Sequence, residues 1–310
     1  GYRAARGTLT SPLAQEYLSR LLEISSGEEL AVVTVRKCLE SWNSNKARSR
    51  SKGTSERYEG IIRSFMEFLP DHKVDGPLAN LTADDVREFR DKQIDEGRSA
   101  STANLVLKVL RNPLNHARRQ GHITVNVAEA IDLLPVQNQE KDVFSPEMLA
   151  KLLAAADEHR RRARNERECQ LYLDWKGMIL AGYFTGGRQG DLANLKWKSI
   201  SLERGILYFT AKKTGKEAFI PIHSDLARHL ESIEKPENPE GHVFPTMVGK
   251  TSAGRNGLSL QFRKLMETAG VEGRSSIAAG KGHTRNSLTF HSLRHSFNSA
   301  MANAGVAQEV

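Results

Sequence analysis

The sequence predicts a mainly α-helical protein with one small β-sheet, an α+β fold class, built from two domains. A chain of 310 residues is long for a single hydrophobic core. Between residues 31 and 134 the apolar residues recur with helical spacing. Later in the chain two short β-type runs, GILYFTA and EAFIPI, stand on either side of KKTGK. These observations predict a helical domain followed by a mixed domain in which helices predominate.

The expected domain boundaries follow from changes in this pattern. Residues 1–30 are mixed in composition and form an N-terminal extension, which is either the remnant of an N-terminal arm or the lead-in to the first domain. Residues 31–134 form the helical domain. The stretch LPVQNQEKDVF has a proline, polar residues and no periodicity, so the linker is placed at 135–144. The second domain then spans 145–310.

Four segments of the first domain carry helical patterns. VVTVRKCLESW opens the first, and SERYEGIIRSFMEFL places Ile61, Phe65 and Leu69 at spacings of four. LTADDVREFRDKQI begins with Thr82 as N-cap and has Asp85 at the third helical position. SASTANLVLKVLRNPLNHARRQG closes the set, so the sequence predicts a small all-helical domain.

The second domain is predicted to begin and end with helices. Ser145 is the expected N-cap of the first, with Pro146 at its first position. KKTGK joins the two β-type runs as a hairpin with Gly215 in the turn. Further helices are expected at 257–270 and 290–304.

Composition bounds the class of protein. With 39% hydrophobic and 26% charged residues the chain is typical of a soluble globular protein. No apolar run approaches the roughly 20 residues of a membrane span, and GYRAARGTLTSP lacks the apolar core of a signal peptide, so we expect a cytoplasmic protein without a membrane partner. Cys38 and Cys169 are expected to be ordinary thiols. The net charge of +8 favours a polyanionic partner, a nucleic acid or an anionic membrane surface.

The stretch TFHSLRHSF, residues 289–297, allows two kinds of site. His291 and His295 are four apart on one helical face, which is the geometry of a zinc pair. His291 and Arg294 are three apart and suit an anion. A zinc protease needs glutamate directly after the first histidine, where this chain has Ser292, and no third ligand stands at a recognisable spacing. Two histidines that cap a helix or line a core are the remaining alternative for the pair alone.

Three boxes occur together: TGGRQGDLANLKW, KKTGK on a hairpin, and FHSLRHSF. In that order they resemble the catalytic domain of the tyrosine recombinases, also called the phage integrase family. SASTANLVLKVLRNPLNHARRQGHI resembles the last helices of that family's core-binding domain, so the likeness covers roughly residues 33–310. The resemblance implies a helical core-binding domain followed by a catalytic domain, closing like a clamp around DNA.

The resemblance assigns catalytic roles residue by residue. Arg188 and Arg294 hold the scissile phosphate, because a guanidinium offers bidentate donors and keeps its charge. Lys213 is the general acid for the departing 5′ oxygen. His291 donates to the phosphate or assists proton transfer. No metal and no other cofactor is expected, because the arginines supply the positive charge.

This sequence departs from the family at several points. The acidic residue after the first arginine is most often glutamate and is here Asp191, which either orients Arg188 or is only a favourable helix N-terminal carboxylate. Asn126 is followed by Val127 where the family often has proline. The resemblance places the nucleophilic tyrosine beyond the last residue of this sequence, so a chain of these 310 residues is expected to bind DNA without cleaving it. The tyrosine-bearing segment is either missing from these 310 residues or naturally absent. The tyrosines that the sequence does contain are Tyr2, Tyr17, Tyr58, Tyr172, Tyr183 and Tyr208.

Contacts with DNA are expected at two places in the first domain and on the hairpin. NKARSRSKGTSER puts a basic run beside a helix start, and SASTAN opens a helix whose polar end suits a major groove. A solvated, partly disordered loop is the alternative for the basic run, and a solvated surface is favoured for HRRRARNER. The residues expected to contact DNA are Lys46, Arg48, Arg50, Lys52, Ser99, Ser101, Asn104, Lys212 and Lys216.

The resemblance implies a site-specific recombinase or integrase of a mobile element, associated with the nucleoid. It would act as a homo-tetramer on double-stranded recombination sites, through a 3′-phosphotyrosine and a Holliday junction, with accessory DNA-bending or excision factors as further partners. A type IB topoisomerase-like enzyme and a non-catalytic DNA-binding protein on the same fold are the alternatives.

Overall fold

The structure is a computed structural model. It describes residues 32–136, 142–210, 217–252, 254, 257–277 and 284–306, together with five isolated positions before residue 25. The chain divides into two compact units between Asn138 and Gln139. Among the helices that are described, none combines the length and the apolar character needed to cross a membrane.

The described part of the first unit is built from helices. Its helices are α1 (Val35–Ala47), α2 (Lys52–Phe68), α3 (Asp71–Val74), α4 (Ala83–Asp95) and α5 (Ala100–Arg119), with 3-10 turns at Leu78–Asn80 and Val127–Ala130. Helix α1 packs on α2 and α5, and α5 also packs on α4. The core lies between them and includes the fully buried Leu39, Phe65 and Leu107.

The start of α4 confirms the predicted capping box. The Thr82 N–H donates to Asp85 Oδ2 at 2.9 Å, and the Asp85 N–H donates to Thr82 Oγ1 at 3.3 Å. Of the apolar residues predicted at spacings of four, Phe65 and Leu69 are buried, and Ile61 is half-buried and packs against the core. Its neighbour Ile62 is buried as well.

The second unit combines helices with two small antiparallel sheets. Its helices are α6 (Pro146–Arg161), α7 (Glu166–Thr185), α8 (Gln189–Leu192), α9 (Ser224–Ser232), α10 (Leu258–Thr268) and α11 (Phe290–Asn303), with 3-10 turns at Trp197–Ser199 and Pro245–Met247. The strands are β1 (Ile200–Ser201), β2 (Ile206–Thr210), β3 (Glu217–Pro221), β4 (Ser275–Ile277) and β5 (Thr284–Asn286). One sheet has the order β1-β2-β3 and the other pairs β4 with β5. This mainly helical fold with a small sheet confirms the predicted fold class.

The predicted helix start and hairpin of this unit are both present. Ser145 Oγ accepts from the Met148 N–H at 3.3 Å, as expected of an N-cap. Strands β2 and β3 pair antiparallel, and the register runs to Thr210 opposite Glu217. Gly215 and the rest of the connecting turn lie outside the described residues. Strands β1, β4 and β5 and helix α9 were not predicted.

Helix α7 lies at the centre of the second unit's core and packs against α6, α9 and α11. Its glycines allow neighbouring side chains to approach closely. A Cβ at Gly182 would lie 3.0 Å from atoms of both Leu293 and Phe290 on α11. A Cβ at Gly177 would lie 2.3 Å from the Phe244 ring. The C-terminal half of α7 is therefore held tightly against α11, which carries the HSLR motif.

Candidate active site

The site is built around the turn that ends α7. Gly186 is the C-cap and has φ of 62°, in the left-handed region that glycine adopts without a Cβ clash. A Cβ there would also lie 2.6 Å from Phe297 Cδ1 on α11. The preceding Thr185 is buried, and its Oγ1 accepts from the Gly187 N–H at 3.1 Å. Backbone conformation and packing together therefore require glycine at position 186.

This turn positions both arginines of the predicted site. Arg294 reaches from α11 and donates from Nη1 to the Gly186 carbonyl at 2.6 Å. Arg188 follows two residues after Gly186 and is the N-cap residue of the short helix α8. Its Nη1 lies 3.8 Å from Asp191 Oδ2, which is an ion-pair distance rather than a hydrogen bond. The structure thus brings Arg188, Asp191 and Arg294 to one place.

The electrostatics of the arginine pair favour an anion. Burial lowers the pKa of Arg294, the positive charge of Arg188 lowers it further, and Asp191 raises it. The carboxylate of Asp191 is largely buried, and its Oδ2 accepts no hydrogen bond from any residue that the structure describes. Two cations that repel each other beside a single carboxylate would be stabilised by an additional negative charge. Phosphate is a ligand that suits two guanidinium groups.

The histidines of the motif lie at the start of α11. His291 is exposed, and its ring lies 4.8 Å from the His295 ring, at an angle of 87°. The Thr289 N–H donates to Ser292 Oγ at 3.1 Å and orders the first turn of the helix. Within the part of the chain that is described, no group of three or more His, Cys, Asp or Glu side chains could hold a metal ion. Among the described residues, no zinc-binding cluster therefore surrounds His291.

The predicted lysines lie outside the described residues: these are Lys212, Lys213 and Lys216. Strand β2 ends at Thr210 and strand β3 begins at Glu217, and these two residues are opposite each other in the ladder.

Comparison with known proteins identifies the family. The profile of the phage integrase family matches residues 143–310, and that of the phage integrase N-terminal SAM-like domain matches residues 39–121. The chain belongs to the phage integrase family. The match includes both arginine boxes and the helical unit that precedes them, and it confirms the resemblance seen in the sequence.

Individual integrases and recombinases are similar over much of the chain. A tyrosine recombinase XerC-like protein of Caldanaerobacter subterraneus is 23% identical over 88% of this chain and 73% of its own length. The integrase of Escherichia phage lambda is 28% identical over 60% of this chain, but the match spans only 46% of that integrase. A solved lambda integrase tetramer bound to a Holliday junction has a TM-score of 0.61 at 23% identity, covering 94% of this chain and 79% of that one. The chain thus shares the integrase fold, and its sequence match spans 46% of the phage lambda integrase.

Asn104, one of the residues expected to contact DNA, is engaged within the first unit. This residue is buried on α5, where its Nδ2 donates to the Leu134 carbonyl and its Oδ1 accepts from the Leu134 N–H, both at 2.8 Å. Both polar atoms of the amide are therefore hydrogen-bonded to the backbone. Ser99 caps the same helix by accepting from the Thr102 N–H, while Ser101 is exposed.

Arg50 also differs from the other basic residues of the first unit. Its guanidinium lies 4.4 Å from the centre of the Trp42 ring and 4.3 Å from that of Tyr58, so it makes cation–π contacts with both rings. The neighbouring cations Lys46, Arg48 and Lys52 are exposed.

The sequence did not single out the groups that orient the arginines. The Gly186 carbonyl accepts from Arg294, and the Phe297 ring packs against Gly186. These residues are far apart in sequence and come close only in the folded chain. The GG pair in the first box was a visible signal for a special turn, since glycine is the residue that adopts a left-handed C-cap. No sequence signal indicated that its carbonyl would accept from Arg294.

Proposed function

We propose that this chain is the DNA-binding and phosphate-activating part of a site-specific DNA recombinase or integrase of a mobile element. The observation that carries the proposal is the pairing of Arg188 with Arg294, which come from separate boxes and are held at one turn. Membership in the phage integrase family supports it. By analogy with the lambda integrase tetramer on a Holliday junction, the working form is a homo-tetramer on double-stranded recombination sites, and DNA-bending or excision factors would be its accessory partners.

The reaction is an exchange of one phosphodiester for another. A tyrosine hydroxyl attacks the scissile phosphorus, a new P–O bond forms to the tyrosine, and the bond to the 5′ oxygen breaks. Negative charge spreads over the nonbridging oxygens in the transition state. Arg188 and Arg294 stabilise that charge by donating hydrogen bonds from fixed positions, so no solvent rearrangement is needed as the charge develops.

The departing 5′ oxygen needs a proton, which we assign to Lys213 with assistance from His291. A lysine side chain can act as the general acid that supplies this proton. We expect Lys213→Ala to slow cleavage and a 5′-phosphorothiolate substrate, whose leaving group needs no proton, to recover much of the loss. No recovery would move the acid role elsewhere, with Lys212 the first residue to test.

We assign the nucleophile to a tyrosine outside these 310 residues, so the 310-residue chain would itself be inactive in cleavage. No tyrosine follows the HSLR motif in this sequence. Tyr172 lies within α7, where its ring stacks on His159 at 4.5 Å. Burial, and then the charge of Glu168, raise the pKa of its hydroxyl, which disfavours the ionised nucleophile.

The test compares the 310-residue chain with an extended chain, to which a C-terminal segment bearing a tyrosine has been added. Both should bind a cognate duplex, and only the extended chain should form a covalent adduct on a nicked suicide substrate. Mass spectrometry would locate the modified residue. An adduct at Tyr172 or Tyr183 would disprove the nucleophile assignment. DNA binding without an adduct in either form would indicate a non-catalytic DNA-binding protein.

A further inference from the structure

Helix α11 is joined to the first described residues of the second unit by a closed set of hydrogen bonds. The Phe144 N–H donates to Ser296 Oγ at 2.7 Å, and Ser296 Oγ donates to the Ser292 carbonyl at 3.0 Å. Ser292 Oγ donates to the Ser287 carbonyl at the longer distance of 3.4 Å. Ser287 Oγ in turn donates to the Asp142 carboxylate, and Asp142 is two residues before Phe144. The path therefore returns to the segment from which it began.

Asp142 is the charged member of this set. Besides Ser287 it accepts from Arg274, at 2.8 Å from the backbone N–H and 2.5 Å from Nε. The Ser287 hydroxyl, and then the Arg274 N–H, lower the pKa of its carboxyl, so Asp142 remains an ionised acceptor at neutral pH. Arg274 directly precedes β4 and Ser287 directly follows β5, so Asp142 joins both ends of that hairpin.

The serines occupy a face of α11 that would otherwise be apolar core. Ser292 and Ser296 are four apart and only 3% and 6% exposed. A buried hydroxyl is tolerated when it is hydrogen-bonded, and in both of these the bonds lead to other parts of the second unit. His291 and Arg294 lie on nearly the opposite side of the same helix, about 150° around its axis from the two serines. The orientation of that side therefore depends on how the serine face is anchored.

We propose that Asp142, Ser287, Ser292 and Ser296, which we term the serine ring, are positioning residues for the phosphate site. The ring sets the rotation of α11 and with it the approach of Arg294 and His291 to DNA. The ring also connects residues 142–144, near the start of the second unit, to α11. The catalytic part of this inference rests on the proposed function. Its physical basis is that displacing a reacting group by about 1 Å can slow a reaction about a hundredfold.

The first experiment measures hydrogen exchange of residues 290–303 in the 310-residue protein, without DNA. We expect exchange in Ser296→Ala and Asp142→Asn to be about fivefold faster than in the parent chain, because the helix opens locally more often. Ser296→Thr keeps the hydroxyl and should restore the parent rate. Ser299→Ala is the matched control, since Ser299 is exposed on the same helix, and should have no effect. Asp142→Asn nearly preserves side-chain size and serves if Ser296→Ala fails to fold.

The second experiment uses the same variants in the chain extended through its nucleophile. The single-turnover rate of adduct formation should fall about tenfold while the Kd for DNA changes less than about twofold, since positioning affects the transition state more than binding. Unchanged exchange, or faster exchange with an unchanged cleavage rate, would overturn the proposal. An extended parent chain that forms no adduct would instead refute the proposed function, and the exchange measurement would still decide whether the ring anchors α11.

Discussion

Arg294 is oriented by a main-chain carbonyl and not by an acidic side chain. The Gly186 carbonyl accepts one of its N–H groups at 2.6 Å, and its charge is not neutralised by this bond. Arg188, by contrast, stands 3.8 Å from Asp191. The acceptor on Arg294 is neutral, and the Asp191 carboxylate does not form a hydrogen bond with Arg188. Most of the positive charge of the two arginines therefore remains available to a phosphate.

This arrangement predicts how the arginine variants behave. In the chain extended through its nucleophile, Arg188→Ala or Arg294→Ala should abolish the covalent adduct while DNA affinity stays within about tenfold, because other contacts position the duplex. The measurement is adduct formation on a nicked suicide substrate alongside a binding titration. Arg263→Ala, an exposed arginine of α10 in the same unit, is the control and should retain the adduct. Adduct formation by either site variant would remove that arginine from the mechanism.

Arg50 differs from the neighbouring cations in its contacts with aromatic side chains. The guanidinium of Arg50, in the turn between α1 and α2, lies over the Trp42 ring of α1 and the Tyr58 ring of α2 and makes cation–π contacts with both. Arg50 therefore contributes to the shape of the α1–α2 turn, and the exposed cations around it remain the candidates for phosphate contact.

At the scale of elements, the junction between α7 and α11 depends on two glycines, Gly182 and Gly186. Gly182 lets α11 side chains approach, and Gly186 ends α7 in the left-handed region against Phe297. Both are needed because Arg188 follows the end of α7 and Arg294 lies on α11.

Gly186→Ala should therefore destabilise the second unit and misplace Arg294. The left-handed conformation alone costs a non-glycine residue about 1–2 kcal/mol, and the contact with Phe297 adds to this. Thermal unfolding of the 310-residue chain measures the loss. Gly190→Ala is the matched control, because a Cβ there meets nothing within 4 Å, and it should be neutral or stabilising by up to about 1 kcal/mol. Equal stability of the two variants would contradict the close packing of this turn.

A second element-scale prediction concerns the capping box of α4. Burial raises the pKa of Asp85, but hydrogen bonds from Lys73 and Thr82 outweigh burial and lower it below its ordinary value of 3.8. A carboxyl with a lowered folded pKa contributes stability that is present above its unfolded pKa. That contribution is lost as the pH falls through the folded value.

The stability of the first unit should therefore decline below about pH 4, and Asp85→Asn should flatten that decline while lowering stability at neutral pH. Urea unfolding monitored at a series of pH values checks this. Asp95→Asn, at the exposed C-terminal end of the same helix, is the control and should leave the acid decline in place. An unchanged decline in Asp85→Asn would show that another carboxyl is responsible.

At the scale of the whole molecule, each unit has its own hydrophobic core and the chain as a whole is basic. The net charge of +8 and the exposed cations of the α1–α2 turn are consistent with a partner that carries regularly spaced phosphates. Such binding is driven largely by the release of counterions from DNA.

DNA binding should accordingly weaken steeply with salt, with a log-log slope of about −0.9 for each phosphate neutralised. Arg48→Ala should make the slope shallower by about 0.9 if that residue contacts one phosphate. Arg63→Ala, which removes an exposed arginine that is paired with Glu59 on α2, should leave the slope unchanged. A salt-independent affinity for the parent chain would contradict phosphate-based binding altogether.

The sequence alone was sufficient for the elements whose signals are local. The Thr82 cap, the Ser145 cap and the β2–β3 hairpin follow from side chains within a few residues of each other, and all are present. The resemblance to the family was likewise visible in the sequence, because each of the three boxes is a contiguous motif.

Only the tertiary structure decided which polar side chains are available to a ligand. The sequence suggested a groove-facing amide at Asn104, whereas the folded chain hydrogen-bonds this amide to the Leu134 backbone. Arg50 lies over the rings of Trp42 and Tyr58. The carbonyl that orients Arg294 and the serine ring behind α11 join residues far apart in the chain. No local pattern encodes such contacts, because burial and hydrogen-bond partners are properties of which surfaces the folded chain brings together.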